Sequence, residues 1–468
     1  MTDLTAKQSQ KKQVIDRVEA TADTLTGRGG LALFVRYLER IGLEAPVGKW
    51  FGPLRRSAKG VGVWAVFVQV CCFFLDGTSR HLVHFDRLKR DAGYAAVLET
   101  PPAQLLSSHA VKRFFQSFRW GRIFLLRRLL QQLFLWRLNL ARPAVVLLGL
   151  DTMVLDNDEA PKRQGVEPTY KKVKGFQPLQ VTWGRFIVDA VFRSGAKHSN
   201  HGDTAEQTLR HLVAAIRKHY RPDVPIVVRM DSGFFDQKLF AALEQLGVGY
   251  IGGGKMYADL QAYARQQDRS GWKPYRDGRH EWEFFEFGNR RQSWDTFRRA
   301  IFCRLVADAN GQKRFEFARP DTVIYTNLGR DAAIDDQLRQ AGRADLLEAA
   351  GAVAEYHRRG GDELVHRALK DFAAEELPFH RFTANAAYYY LLLTAFFLAE
   401  TFKEDVCGGV VPLTAYPTTL RRTVIDIAAK FVRHAGKIVL KVSAAVLEAL
   451  DFQTLWTRSG SPPKLSLT

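Results

Sequence analysis

Cysteine is scarce in this chain, and acidic residues are locally absent. The 468 residues hold only four cysteines, Cys71, Cys72, Cys303 and Cys407, with no Cys-x-x-Cys pair and no histidine at zinc spacing beside them. That pattern argues against a disulfide framework or a structural zinc site and fits reduced thiols in a cytoplasmic protein. No apolar run reaches the roughly 20 residues that span a bilayer. The longest, 61–75, has 15 residues and contains Gln69. A buried helix and no membrane partner are therefore expected. Met1 to Gln13 is polar and lysine-containing with no apolar stretch behind it, so no secretory signal is expected either. From Pro101 to Leu150 there is not one Asp or Glu.

What is present is positive charge. Lys and Arg number 68 against 49 Asp and Glu, a formal net charge of +19, on a background of 46% hydrophobic residues. Such a chain can bury a large core in two or three domains. The charge points to a polyanion such as nucleic acid, with an anionic membrane surface as the competing partner. The acid-free window carries Lys112, Arg113, Arg119, Arg122, Arg127, Arg128, Arg137 and Arg142 interleaved with Phe114, Phe115, Phe118, Trp120, Phe124, Phe134 and Trp136. The apolar residues recur at helical spacing and Ser107 or Ser108 suits a helix start. Residues 1–140 thus read as a helical, DNA-contacting region, most of its aromatics being core.

At 144–150 the pattern changes to a short apolar run ending at Asp151, a buried strand with a carboxylate at its tip. Strands at 177–183 and 186–192 follow, joined tightly by Gly184-Arg185. Next come a helix at 204–219, a buried strand at 225–230 ending at Asp231, a helix at 237–246 and a strand at 248–251, an alternation with parallel-sheet character. From 255 to 331 charged and aromatic residues mix in what reads as a β-rich insertion. Helical patterning then resumes from 332 to 405, and a basic, helical C-terminal region, 406–468, begins with a linker at 408–417. Residues 141–254 and 332–405 would form the two parts of one core.

Tyr356, Arg359, Glu363 and Lys370 sit at steps of 3, 4 and 7. At about 100° per residue they fall within an arc of roughly 60° on one helix face. Glu363 on such a stripe can hold a metal ion while Arg359 and Lys370 hold phosphate oxygens. The same spacing also suits a solvated face of ordinary ion pairs. Two strand-end acids and a later helical Glu, in that order, are what a two-metal phosphoryl-transfer site requires. Asp156 and Asp158 rival Asp151, and Asp362, on a different face, rivals Glu363. Gly249 to Met256 nearly fits a nucleotide-binding loop, but Met256 stands where the magnesium-binding Ser or Thr belongs, so no nucleotide is expected.

Leu150-Asp151-Thr152, Arg229-Met-Asp231-Ser-Gly-Phe and the ordered Tyr356, Arg359, Glu363 and Lys370 resemble the bacterial insertion-sequence DDE transposases that carry a Tyr-Arg-Glu-Lys signature, in the subgroup with Asp-Ser-Gly-Phe at the second acid. The resemblance implies an α/β fold: a ribonuclease H-like catalytic core with a β-rich insertion, plus helical N-terminal and C-terminal regions. It implies that Asp151, Asp231 and Glu363 are catalytic and bind two Mg²⁺ ions, for which Mn²⁺ can substitute. Tyr356, Arg359 and Lys370 would touch phosphates at the transposon end. Lys171, Lys172 and Lys174 match the lysine-bearing segment that follows the first acid in such enzymes, and Lys112, Arg113, Arg119 and Arg122 are further DNA-binding candidates. The expected partners are double-stranded DNA, as terminal inverted repeats and target, and a second copy of the chain on paired ends. The expected location is the bacterial cytoplasm, at the nucleoid when bound. A catalytically inactive DNA-binding derivative, or a nuclease that does not join ends, is the alternative.

Overall fold

A computed structural model describes residues 14–54, 60–276, 280–307 and 321–466. The polar segment 1–13 lies outside the described residues. Among the described residues nine strands build one sheet. In chain order they are β1 (Val146–Thr152), β2 (Leu179–Trp183), β3 (Phe186–Val191), β4 (Ile226–Met230), β5 (Gly249–Gly253), β6 (Lys273–Arg276), β7 (Glu281–Asn289), β8 (Arg298–Ala307) and β9 (Asp321–Thr326). Across the sheet the order is β6-β7-β8-β9-β5-β4-β1-β2-β3. β1, β4 and β5 run parallel, with Leu150 beside Met230 and Met230 beside Gly252, and the other neighbours are antiparallel. Every residue of β4 and β5 is buried, as the apolar runs in a sheet covered on both faces require.

The hairpin of β2 and β3 turns through Gly184, at φ 57°, and Arg185. The β-rich stretch after 255 forms no separate sheet among the described residues. Its strands extend the central one, because β9 pairs antiparallel with β5 and places Ile324 opposite Gly253.

The principal helices are α1 (Leu31–Ile41), α2 (Val63–Asp76), α3 (Ser108–Gln116), α4 (Trp120–Ala141), α5 (Thr204–His219), α6 (Gln237–Gln245), α7 (Ala349–His357), α8 (Gly360–Phe372) and α9 (Phe382–Asp405). The apolar run read at 61–75 is α2, buried as expected, and Ser107 caps α3 by accepting from the Ala110 amide at 3.2 Å. α9 is long and apolar enough to cross a membrane, but 89% of its apolar window is buried inside the fold. It packs against α4 and the sheet, where the Tyr389 hydroxyl accepts from Gln180 Nε2 at 2.6 Å and the Tyr390 hydroxyl donates to the Ala190 carbonyl at 2.9 Å. All four cysteines are free and buried.

Two expectations are corrected. The C-terminal region is not wholly helical: Ala429–His434 and Lys437–Val442 form a hairpin that pairs with Thr24–Thr26, and two short helices, Ala444–Ala449 and Phe452–Gly460, follow. The β-branched Val432, Ile438, Val439 and Val442, and a turn of Ala435 and Gly436 at positive φ, favour the hairpin over a basic helix. The acid-free run, in turn, owes its composition partly to internal pairing. Arg127 grips the fully buried Asp189 of β3 through Nε and Nη2 at 2.6 and 2.7 Å, and Gln131 adds a third donor at 2.9 Å. Arg137 reaches Asp405 at the end of α9 at 2.8 Å. The counter-charges of α4 come from distant elements, so none is needed nearby in the sequence.

Removing one member of a buried pair leaves the other charge uncompensated, at a cost of about 3–5 kcal/mol. Asp189→Ala should lower unfolding stability by that order in urea titrations, and Arg127→Met with Asp189→Leu should recover most of the loss.

Candidate active site

Parallel pairing of β1 with β4 sets the site. Leu150 lies beside Met230, so the next residues, Asp151 and Asp231, emerge side by side. Asp151 is still within β1, paired with Gln180 of β2, and does not end the strand as its sequence position suggests. Its Oδ1 accepts from the Thr152 amide at 2.7 Å. Asp231 opens a short 3₁₀ turn, Ser232–Phe234, and accepts from the Gly233 amide at 2.9 Å. The Ser-Gly after the acid is thus a local cap that fixes the carboxylate's aim. Burial, and then the charge of Asp231, push the Asp151 carboxyl up to about 7. The two acids therefore form a concentration of negative charge with too little positive charge to balance it.

Tyr356, Arg359, Glu363 and Lys370 do not share one helix. α7 ends at His357 and α8 begins at Gly360, with three-residue hydrogen bonds from the Arg359, Gly361 and Asp362 amides to the Tyr356, Arg358 and Arg359 carbonyls tightening the join. Gly360 and Gly361 are weak helix formers, which lets the helix break here. Arg359 lies at the break and faces the acids: its guanidinium is 3.8 Å from Asp151 Oδ2 and 3.6 Å from Glu363 Oε1. Burial opposes its charge, but Tyr356, Asp151, Asp231 and Glu363 together raise its pKa. Tyr356 is half-buried at the end of α7; burial chiefly raises its phenol, and the charge of Asp231 adds to the rise. The side chain of Glu363 is 64% exposed. Lys370, about two turns on, pairs with Glu375 at 2.7 Å.

Sequence reasoning missed His366. It is buried, with Nδ1 3.8 Å from Asp151 Oδ2, and burial followed by the charges of Lys370, Lys171 and Arg359 holds the imidazole down at about 4. Its position three residues after Glu363, one turn along the same face, was the available signal. Also missed was the support beneath the break. Arg229 of β4 bonds Glu355 of α7 at 2.9 Å and Asp362 of α8 at 3.0 Å. Asp362 also accepts from the Thr182 hydroxyl at 3.0 Å. It is 2% exposed, so this rival to Glu363 is a buried anchor. Gly149, two residues before Asp151, makes room for it: a Cβ at 149 would stand 2.5 Å from Asp362 Oδ2.

Around the site, the turn Tyr170–Lys172 joins Glu167–Pro168 to Lys174–Phe176. Its Lys172 has φ 62°, and Lys171, Lys172 and Lys174 are all exposed. Burial, and then the charges of Asp151, Asp231 and Glu363, raise the Tyr170 phenol, so the turn stands beside the acids. Lys171 also acts on His366. Lys112, Arg113 and Arg119 are exposed on and just after α3, with no ion pair to the acids among the described residues. Arg122, a further candidate, is half-buried, and its guanidinium donates to the Trp50 carbonyl inside the helical region. Asp156 and Asp158 serve the local turn, accepting from the Asp158 and Lys174 amides at 2.9 and 3.2 Å. His198 and His201 pack edge to face in the loop before α5, 5.3 Å between ring centres.

The donor set suits a hard divalent cation, since Asp151, Asp231 and Glu363 offer only carboxylate oxygens and the raised Asp151 marks uncancelled negative charge. Among the described residues no three His, Cys, Asp or Glu side chains yet stand close enough to ligate one ion. Glu363 would complete the set by turning from Arg359 toward the strand ends.

A family model described as transposase DDE domain group 1 matches residues 7–458. No curated protein matches the chain. Among solved structures, a piggyBac transposase synaptic complex with hairpin DNA is similar at 14% identity and a TM-score of 0.42, over 86% of this chain and 80% of that one.

Two measurements test the geometry. Folded Asp151 keeps its proton to about pH 7, whereas an unfolded Asp loses it near 4, so stability should fall as pH rises through that window and stay low above it. Asp151→Asn removes the penalty. Without divalent ions it should be more stable than wild type at pH 8, by on the order of 1–3 kcal/mol in urea unfolding, with no gain at pH 4. Gly149→Ala should displace Asp362 and cost roughly 2 kcal/mol or more in the same assay.

Proposed function

The chain belongs to the transposases of DDE domain group 1, and on that premise we propose that it is a metal-dependent DNA transposase that cuts at the ends of its own element and joins the freed 3′ hydroxyls to target DNA. The observation that carries this reading is the placement of Asp151 and Asp231 side by side on parallel strands, with Arg359 between them and Glu363. Acids on adjacent central strands with a Glu on a following helix suit a ribonuclease H-like core. Mg²⁺, or Mn²⁺ in its place, would be held by Asp151, Asp231 and Glu363 and, when bound, would activate the attacking oxygen and stabilise the leaving one.

The chain's own groups do the rest. Arg359, set among the acids, pairs with non-bridging phosphate oxygens once a DNA strand enters, and it leaves Glu363 free for its ligand role. Neutral His366 gives Asp151 no counter-charge, so the carboxylate's negative charge remains available to a cation. Lys171 on one side and Lys370 on the other extend the positive field along the DNA backbone. The phenol of Tyr356 is a further phosphate donor. Water and then the DNA 3′ hydroxyl serve as successive nucleophiles, with no covalent protein intermediate. Processing two ends together calls for two copies of the chain, acting on bacterial DNA in the cytoplasm.

Asp231→Asn is the decisive variant. With duplexes carrying the inverted repeats that flank the coding sequence, it should lose divalent-dependent cleavage by roughly 100-fold or more while binding the ends as wild type does. Full strand transfer by that variant would overturn the assignment.

A further inference from the structure

Beyond the acids, α8 runs into a second positively charged place that belongs to two regions of the chain at once. A cavity of about 210 Å³ is lined by Lys370, Asp371 and Phe372 at the end of α8, by Ser79 and Arg80 just after α2, and by Arg421. Arg421 makes the junction. Its Nε and Nη2 donate to the Leu75 and Phe74 carbonyls at 2.7 and 3.0 Å, and its Nη1 and Nη2 to the Asp371 and Phe372 carbonyls at 2.9 and 2.6 Å. One guanidinium thus fastens the carboxyl-terminal ends of α2 and α8 together, satisfying carbonyls that helix ends leave unpaired. Gly77, at φ 62°, turns the chain out of α2 against the face of that guanidinium, where any Cβ would collide. Ser79 and Arg80 are carried by this turn to the side of Lys370.

The charges in the cavity are uneven. Arg80 is exposed and has no ion pair among the described residues. Ser79 Oγ accepts from the His81 amide at 3.2 Å, and its own proton remains available to donate. The one carboxylate in the lining, Asp371, is turned to the Thr418 amide and hydroxyl at 2.7 and 2.6 Å. Lys370 reaches the rim, and its half-exposed pair with Glu375 is of the kind worth about 0–1 kcal/mol, too weak to keep the ammonium from a stronger anion. Arg80, Lys370 and Ser79 therefore line one cavity large enough to admit a phosphate group. His366, beside Asp151, lies four residues back along α8, a rise of about 6 Å.

We propose that this cavity seats a backbone phosphate of the strand being cut, close to the scissile bond, and that Arg80 of the helical region is a second cation beside Lys370. The inference rests on the transposase reading above. It makes the N-terminal region a holder of the reacting strand itself.

The test compares wild type, Arg80→Ala, Arg80→Lys and Ser79→Ala by fluorescence anisotropy on a duplex ending at the flanking inverted repeat, over a range of salt. Arg80→Ala should weaken binding about 5- to 10-fold and lower the salt slope by about 1, with Arg80→Lys restoring most of both. Replacing single phosphates of the cleaved strand by neutral methylphosphonates should erase the difference between wild type and Arg80→Ala at one position near the cut. Equal affinity and slope in Arg80→Ala, or a loss that persists at every neutralised position, would overturn the seat while leaving the transposase reading intact. Failure of the wild-type chain to bind the end would overturn both. Unchanged thermal melting of the exposed Arg80 variants separates lost contact from lost fold.

Discussion

Arg229 is the residue on which the arrangement of the site depends. On a strand, residues two apart share a face, so Arg229 and Asp231 both look toward the helices laid over β4. Arg229 lies beneath the break between α7 and α8 and binds one carboxylate from each, Glu355 and Asp362. A chain with two glycines at a helix junction would otherwise be free to hinge there. Two buried ion pairs at a single guanidinium remove that freedom, and Arg359 is held over the strand ends as a result. The same strand that presents the second acid also positions the cation that faces it.

The electrostatic design is one of deliberate imbalance. Asp151 and Asp231 are adjacent, Arg359 answers Asp151 only at 3.8 Å, and His366 is kept neutral by burial and by the cations around it. Arg127, by contrast, pairs closely with the buried Asp189. The acids beside Arg359 are left under-compensated in the free protein, which lowers stability locally and raises the affinity of the place for positive charge.

Much of this was legible in the sequence because it follows from local pattern. The apolar runs before Asp151 and Asp231, the Gly184-Arg185 turn and the period of α5 each specify one element from nearby residues. The stretch from Tyr356 to Lys370 was legible as spacing but not as shape: the glycines that break the helix are visible, whereas the clasp that makes the break rigid comes from Arg229, far off in the chain. The same limit hid His366, whose neighbour Asp151 is distant in sequence, and the bond of Arg122 to the main-chain carbonyl of Trp50. The hairpin at 429–442 was misread since basic residues mask its alternation, and its partner strand, Thr24–Thr26, lies at the opposite end of the chain.

The continuity of the sheet through β9 bears on what the long stretch between Asp231 and Glu363 does for solubility. If β5 were the last strand on its side, Gly249 to Gly253 would present a row of unpaired amides and carbonyls on a flat, apolar ribbon next to the acids. Such a border recruits strands from other molecules. β9, β8, β7 and β6 move the border outward in four steps, to Lys273–Arg276, a short strand containing a proline and two basic residues. The segment that interrupts the core in sequence thus also serves as its selvedge, ending the weave where it cannot be picked up by another chain.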